Sequence, residues 1–291
     1  MTDEVLEPID IADWAGPFDA VLGAHARAAL ENGKVLFFPG LAFALLDDER
    51  KFLSASVANG KSKNISFDHA TGAIQGTTLA GEDKTRLARM IDRFGTGATR
   101  LVEELIGYRG MQRARTSYRP AEIEGRAYSP TNDDRLLHVD AFPSRPMQGR
   151  RILRFFANVA PERPRTWNVG EPFESFARQF LPRARQAFPG QSWLFAQLGV
   201  TRGRRSVYDE LMLSLHDTCK LDAHYQATSP HHALDFPPGT CWMVYTDQVL
   251  HAALGGAFAL EQTFHFDIAT MGEPATSPLR VLERMCRKAL V

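Results

Sequence analysis

The chain has 291 residues, 44% of them hydrophobic, which is enough for one large decorated domain or two small ones. Lys plus Arg and Asp plus Glu each total 34, and the resulting neutral balance argues against a general nucleic-acid binder with its basic excess. Residues 1–10 are acidic rather than basic and apolar, and the strongest apolar run, residues 35–46, is broken by Pro39-Gly40. Neither a signal peptide nor a spanning helix is therefore expected.

Three cysteines, Cys219, Cys241 and Cys286, form no CxxC pair, and the odd count suits a reducing compartment. A soluble cytoplasmic protein is expected, which still allows work at a membrane surface.

In chain order, residues 18–31 have helical periodicity and end near Gly33. Residues 35–38 (Val-Leu-Phe-Phe) read as a strand stopped by Pro-Gly. Residues 46–57 form a second helix candidate with Asp47-Asp48 at its start, and residues 83–108 give one or two more, broken near Gly95 and Gly97. Arg86, Arg89 and Arg93 recur on one side of that helix, as a solvated face or as one turned toward anionic phospholipid.

From about residue 113 the texture changes to short apolar or alternating runs punctuated by Pro, Gly, Asn and Asp, at residues 136–140, 152–159, 241–245 and 263–268. Strands of that length suggest a sandwich or small barrel. Residues 172–188 and 207–217 read as helices inserted between strands, and residues 278–290 as an amphipathic tail helix. The expected architecture is one α+β domain, mainly antiparallel. Residues 1–112 form a mostly helical N-terminal decoration, residues 113–270 a double-stranded β-helix (jelly-roll, cupin-like) core, and residues 271–291 a C-terminal helix.

His138-Val139-Asp140 places two ligand-type side chains on the same face of a strand. Alone the pattern is weak, since His265-Phe266-Asp267 repeats it and Asp222-Ala223-His224 reverses it. The chain beyond His138 strengthens it: Phe236-Pro237-Pro238-Gly239-Thr240 turns into an apolar strand, Cys241 to Tyr245, beyond which stand Asp247 and His251. The His265 copy has too little chain after it to supply a third histidine. His138, Asp140 and His251 therefore form the expected metal triad. Two imidazoles and a carboxylate make the facial set used for Fe(II) oxygenases. Of the other histidines, His25, His69, His216, His231 and His232 read as surface or structural, and His224 and His265 as groups behind the ligands.

Such an enzyme takes 2-oxoglutarate and O2 as co-substrates, and the distal carboxylate of 2-oxoglutarate calls for a guanidinium. The stretch from His251 to Ile268 contains no Arg or Lys, so the cation must come from another strand. Arg154, set between Ile152-Leu153 and Phe155-Phe156, is the first candidate, with an internal bridge to an acid as the alternative. Arg119 is the second and Arg151 the fallback, with Trp167 a candidate wall of the pocket. Arg126, Arg145, Lys61 and Lys63 lie in Gly- or Pro-punctuated loops and are candidates for an anionic substrate.

Gly60-Lys61-Ser62-Lys63-Asn64-Ile65-Ser66, then Glu122-Ile123-Glu124-Gly125-Arg126, then Leu137-His138-Val139-Asp140-Ala141-Phe142-Pro143-Ser144-Arg145-Pro146, and residues 163–171 resemble the bacterial Kdo 3-hydroxylase family. The resemblance runs over most of the chain. It implies hydroxylation at C3 of the sugar acid Kdo in Kdo-carrying lipid A, giving Ko, at the cytoplasmic face of the inner membrane. The family's iron triad falls on His138, Asp140 and His251. Three other readings remain open on the residues alone: the same chemistry on a protein side chain, a non-oxidative metal cupin such as a sugar isomerase or lyase, and a binding module with the triad unused.

Overall fold

The computed structural model describes residues 4–124, 129–184 and 191–291. Strand β1 (Leu6–Pro8) pairs in parallel with β2 (Val35–Phe38), and helix α1 (Ala20–Glu31) connects them. Strands β3 (Ile65–Asp68) and β4 (Ala73–Gln75) form a hairpin, followed by α2 (Gly81–Leu101) and β5 (Gln112–Arg119). Strands β6 (Arg151–Asn158) and β7 (Arg165–Gly170) come next. They are followed by helices α3 (Phe173–Phe180), α4 (Gln191–Gln197), α5 (Val207–Leu221) and α6 (Ala223–Thr228). The chain ends with β8 (His231–Phe236), β9 (Cys241–Tyr245), β10 (His251–Gly255), β11 (Ala259–Phe266) and α7 (Pro278–Cys286).

The strands make an eight-stranded sheet, ordered β1-β2-β9-β6-β11-β5-β3-β4, and a three-stranded sheet, β10-β7-β8. The architecture is the expected α+β one, mainly antiparallel. The segment before residue 113 is more than helical decoration, since it supplies β1 to β4, half of the large sheet.

Strand periodicity sorts the side chains between two cores. On β6, Leu153, Phe155 and Ala157 join the large core under the helices. Phe156 points the other way, into an inter-sheet cluster with Trp167, Phe236 and Trp242. Trp242 stacks on Phe236 at 4.1 Å and on Phe156 at 5.0 Å. Both faces of β9 are covered, which is why all five of its residues are buried.

Three expectations change in detail. Residues 46–57 do not form a helix but two 3-10 turns, Asp47–Phe52 and Ala55–Val57. Helix α2 runs through Gly95 and Gly97 unbroken. A Cβ on Gly95 would stand 2.6 Å from the side-chain oxygens of Gln262 and Thr116, and one on Gly97 3.0 Å from the Trp14 ring. These glycines let the helix lie close on its neighbours rather than end it. Helix α3 stops at Phe180 with a 3-10 turn at Leu181–Arg183, and residues 185–188 of the predicted helix lie outside the described residues.

Candidate active site

His138 sits where an isolated bridge replaces the strand expected over residues 136–140. Its N–H donates to the His251 carbonyl at 3.1 Å and the His251 N–H donates back at 2.9 Å, so His138 extends the small sheet beyond β10. Two residues on, the Asp140 N–H donates to the Thr246 carbonyl at 2.7 Å, at the end of β9. On the outer side Gln226 of α6 acts as a substitute strand. Its Oε1 accepts the Leu137 N–H at 2.8 Å and its Nε2 donates to the Leu137 carbonyl at 3.0 Å. Helix α5 is fixed by a capping box between Ser206 and Asp209, and the other Asp209 oxygen accepts the N–H groups of Met147 and Gln148.

The imidazoles are oriented by their own backbone. His138 Nδ1 donates to the Leu136 carbonyl at 2.7 Å and His251 Nδ1 to the Val249 carbonyl at 2.9 Å, leaving both Nε2 lone pairs free. The ring centroids lie 4.6 Å apart, and one ligand-type atom from each of His138, Asp140 and His251 falls within 4.8 Å of the others. Trp167 stacks on His251 at 5.2 Å.

Burial pushes the pKa of His138 well below the ordinary value, and the neighbouring His251 adds to it; burial lowers His251 as well. Both are therefore neutral at pH 7, the form that binds metal. Burial works against the Asp140 carboxylate, but the Arg154 guanidinium beside it, with lesser contributions, holds its pKa low. A buried set of two free imidazole nitrogens and one ionised carboxylate fits an iron ion.

The triad opens on a cavity of about 440 Å³. Its floor is a chain of charges. Arg119 Nη2 lies 2.6 Å from Glu261 Oε2, Arg154 Nη1 2.6 Å from Glu261 Oε1, and Arg154 Nη2 2.7 Å from Asp140 Oδ2. Lys63 pairs with Asp134 at 3.1 Å. Arg165 differs: it is 3% exposed, and Nη1 donates to the Gly256 carbonyl at 2.6 Å. No carboxylate lies within 4.0 Å of it among the described residues. Burial lowers its pKa to about 9, with Arg119 next as a cause, so the charge sits under strain. The turn beside it needs Gly256, whose φ is +95° and whose Cβ would lie 2.7 Å from the Pro164 carbonyl oxygen.

Of the expected residues, Trp167, Arg119, Arg154, Arg145 and Lys63 line this cavity together with the triad. Arg154 takes the alternative reading, an internal bridge to Asp140 and Glu261. Arg151 is three residues from Arg154 on β6 and so faces the opposite side. It is fully buried there, pairs with Asp247 at 2.8 Å, and lies over the Tyr245 ring at 3.7 Å. The fallback role for Arg151 is thereby corrected by strand parity. Lys61 is exposed and is not among the cavity's lining residues, and Arg126 lies outside the described residues. Arg165, Arg115, Glu261 and Thr263 were not singled out from the sequence. The signal for Arg165 was there, because Trp167 two residues later shares its strand face.

A family model described as 3-deoxy-D-manno-oct-2-ulosonic acid (Kdo) hydroxylase matches residues 14–289. Among solved structures, the chain is 43% identical to the Kdo hydroxylase KdoO, a non-haem Fe(II) alpha-ketoglutarate-dependent dioxygenase, in complex with alpha-ketoglutarate and Fe(III). That match covers 99% of this chain and 97% of the other, with a TM-score of 0.94. A KdoO structure with cobalt(II) gives 44% identity, 98% and 97% coverage and a TM-score of 0.95. A search of the curated proteins found no match. On a match of that length and identity, the chain belongs to the Kdo hydroxylase family.

Proposed function

We propose that this chain is an Fe(II)- and 2-oxoglutarate-dependent dioxygenase that hydroxylates C3 of Kdo in Kdo-lipid A, giving Ko. The observation that carries the reading is the convergence of His138, Asp140 and His251 at the base of a guanidinium-rich cavity, in a chain of the Kdo hydroxylase family.

His138, Asp140 and His251 hold the iron. Bound Fe(II), with 2-oxoglutarate and O2, supplies the oxidising power that turns a C–H bond into C–OH as the oxoacid becomes succinate and CO2. Trp167 covers one face of His251 and keeps the ring from turning. Arg165 takes the distal carboxylate of 2-oxoglutarate, because it is buried in the cavity wall with no carboxylate within 4.0 Å among the described residues. Arg119 and Arg154 fix Glu261 and Asp140. Lys63 and Arg145 face the sugar acid.

No described helix is long and apolar enough to cross a membrane. A lipid-linked substrate implies peripheral contact, here at the cytoplasmic face of the inner membrane. Trp193, Leu198 and Val200 are 50%, 66% and 53% exposed beside Arg202 and Arg204, which suits such contact. The arginine face of α2 suits it less, since Arg86 pairs with Asp48 and Glu82, and Arg93 with Glu49.

Anaerobic Fe(II) plus 2-oxoglutarate should give a visible charge-transfer band. Admitting O2 with Kdo-lipid A should then add one oxygen mass to Kdo and release succinate. Turnover of a sugar without dependence on O2 or 2-oxoglutarate would instead mark a non-oxidative cupin.

A further inference from the structure

We propose that the cavity holds a second anion site, formed by Arg115 and Arg145 at the end away from Arg165, which binds a carboxylate or phosphate of the substrate remote from the carbon being oxidised. The proposal rests on the functional reading above for the identity of that substrate.

Strand geometry separates the two ends. Arg115, Ser117 and Arg119 alternate onto one face of β5, and all three line the cavity. Four residues of strand place Arg115 about 13 Å from Arg119 along β5. Arg119 is opposite Ala259, beside the β10–β11 turn where Arg165 binds the Gly256 carbonyl. His265 pairs with Gln112 at the far end of the same ladder. Arg165 and Arg119 thus mark one end, and Arg115 and His265 the other.

The charges at the two ends are balanced differently. The central guanidiniums share Glu261 and Asp140. Arg145 has no carboxylate within 4.0 Å among the described residues, and the nearest to Arg115 is Asp68 at 3.7 Å. The Arg202 N–H donates to the Ser144 carbonyl, which brings a third arginine beside them. Burial and these two like charges lower the pKa of Arg145. Three arginines gathered around the single carboxylate of Asp68 leave an excess of positive charge, which an incoming anion stabilises.

His265 and Phe142 line this end of the cavity as well. The anion bound there is distinct from 2-oxoglutarate, whose two ends the functional reading assigns to the metal and Arg165.

The test uses Arg145→Gln, Arg115→Gln and Arg145→Lys in the full chain. Calorimetry on chelator-treated protein measures binding of Kdo-lipid A and of the same lipid stripped of phosphate. Iron-loaded protein then gives KM for lipid and for 2-oxoglutarate.

Both glutamine variants should bind lipid at least tenfold more weakly and raise its KM to match. The KM for 2-oxoglutarate should stay unchanged, and Arg145→Lys should recover part of the loss. If the anion is phosphate, wild type loses the same factor on stripped lipid, and Arg145→Gln no longer distinguishes the two lipids. If it is the sugar-acid carboxylate, Arg145→Gln weakens both lipids equally. Wild type that binds the lipid but adds no oxygen overturns the functional reading and leaves the site standing, provided the variants lose binding. Glutamine variants that bind lipid as wild type does, or a wild type that does not bind it, overturn the site.

Discussion

The backbones of His138 and His251 are joined by a reciprocal pair of hydrogen bonds, at 3.1 and 2.9 Å, with the imidazole rings 4.6 Å apart. The two distant segments that supply these rings are thus held together before any ion arrives. The bridge is made by backbone, so His251→Ala should keep the fold while removing a ligand. Cobalt(II) binding measured by calorimetry should then fall by more than the roughly 10–100-fold typical of a lost supporting partner, with little change in melting temperature. Wild-type cobalt affinity in this variant would remove His251 from the site.

Gln226 tests the support behind that bridge. Gln226→Leu leaves the Leu137 N–H without its acceptor, while the Leu137 carbonyl keeps the Cys219 thiol at 3.1 Å. A cost of about 1–3 kcal/mol is expected for the unsatisfied N–H. Weaker cobalt binding should accompany it, because His138 is the next residue. A variant that is less stable yet binds cobalt unchanged would show that Gln226 supports only the fold.

Arg165→Gln should raise the KM for 2-oxoglutarate by about 10–100-fold, the worth of a charge-assisted hydrogen bond in a buried site. The KM for the lipid substrate should hardly move. Steady-state succinate release at varied 2-oxoglutarate measures this, and an unchanged KM would return Arg119 or Arg154 to the role.

Arg151 should behave as a structural residue. Arg151→Met leaves Asp247 buried and unpaired, so the chain should lose about 3–5 kcal/mol of stability. The second change Asp247→Leu should recover most of it, as read by urea unfolding. The folded fraction of Arg151→Met should retain its KM for 2-oxoglutarate.

His265 carries a pH signature. Burial, then the charges of Arg150, Arg154 and Arg145, bring its pKa down to about 4 from an ordinary 6.5. Between those values the unfolded chain holds the extra proton. This residue's contribution therefore makes stability rise with pH across that window and fall on acidification. His265→Gln in metal-free protein should flatten the dependence there, by at most about 1.4 kcal/mol per pH unit. Parallel curves for the two proteins would contradict the depressed value.

Much of the site was legible because its chemistry is local. His138 and Asp140 declare themselves by two-residue spacing, and His251 by the Pro-Pro-Gly turn and apolar strand before it. The arginines were harder, because their roles depend on which face of a strand they occupy and which acids stand opposite. Arg151 and Arg154 look alike in sequence, yet an odd separation on β6 sends them to opposite sides. Glu261 gives no hint of its two guanidinium partners, one on β5 and one on β6. The glycines of α2 misled for a related reason. Their cause is the close approach of Gln262, Thr116 and Trp14, which periodicity does not reveal.

The chain of contacts Arg119–Glu261–Arg154–Asp140 has two positive and two negative members, so this part of the cavity floor is neutral before metal arrives. A dication bound at Asp140 makes the floor positive, and a dianionic co-substrate restores the balance. Metal and co-substrate are then linked ligands, each raising the other's affinity by the same factor. Metal-free protein is left with a poor grip on the oxoacid, so iron supply sets how much co-substrate the enzyme can hold.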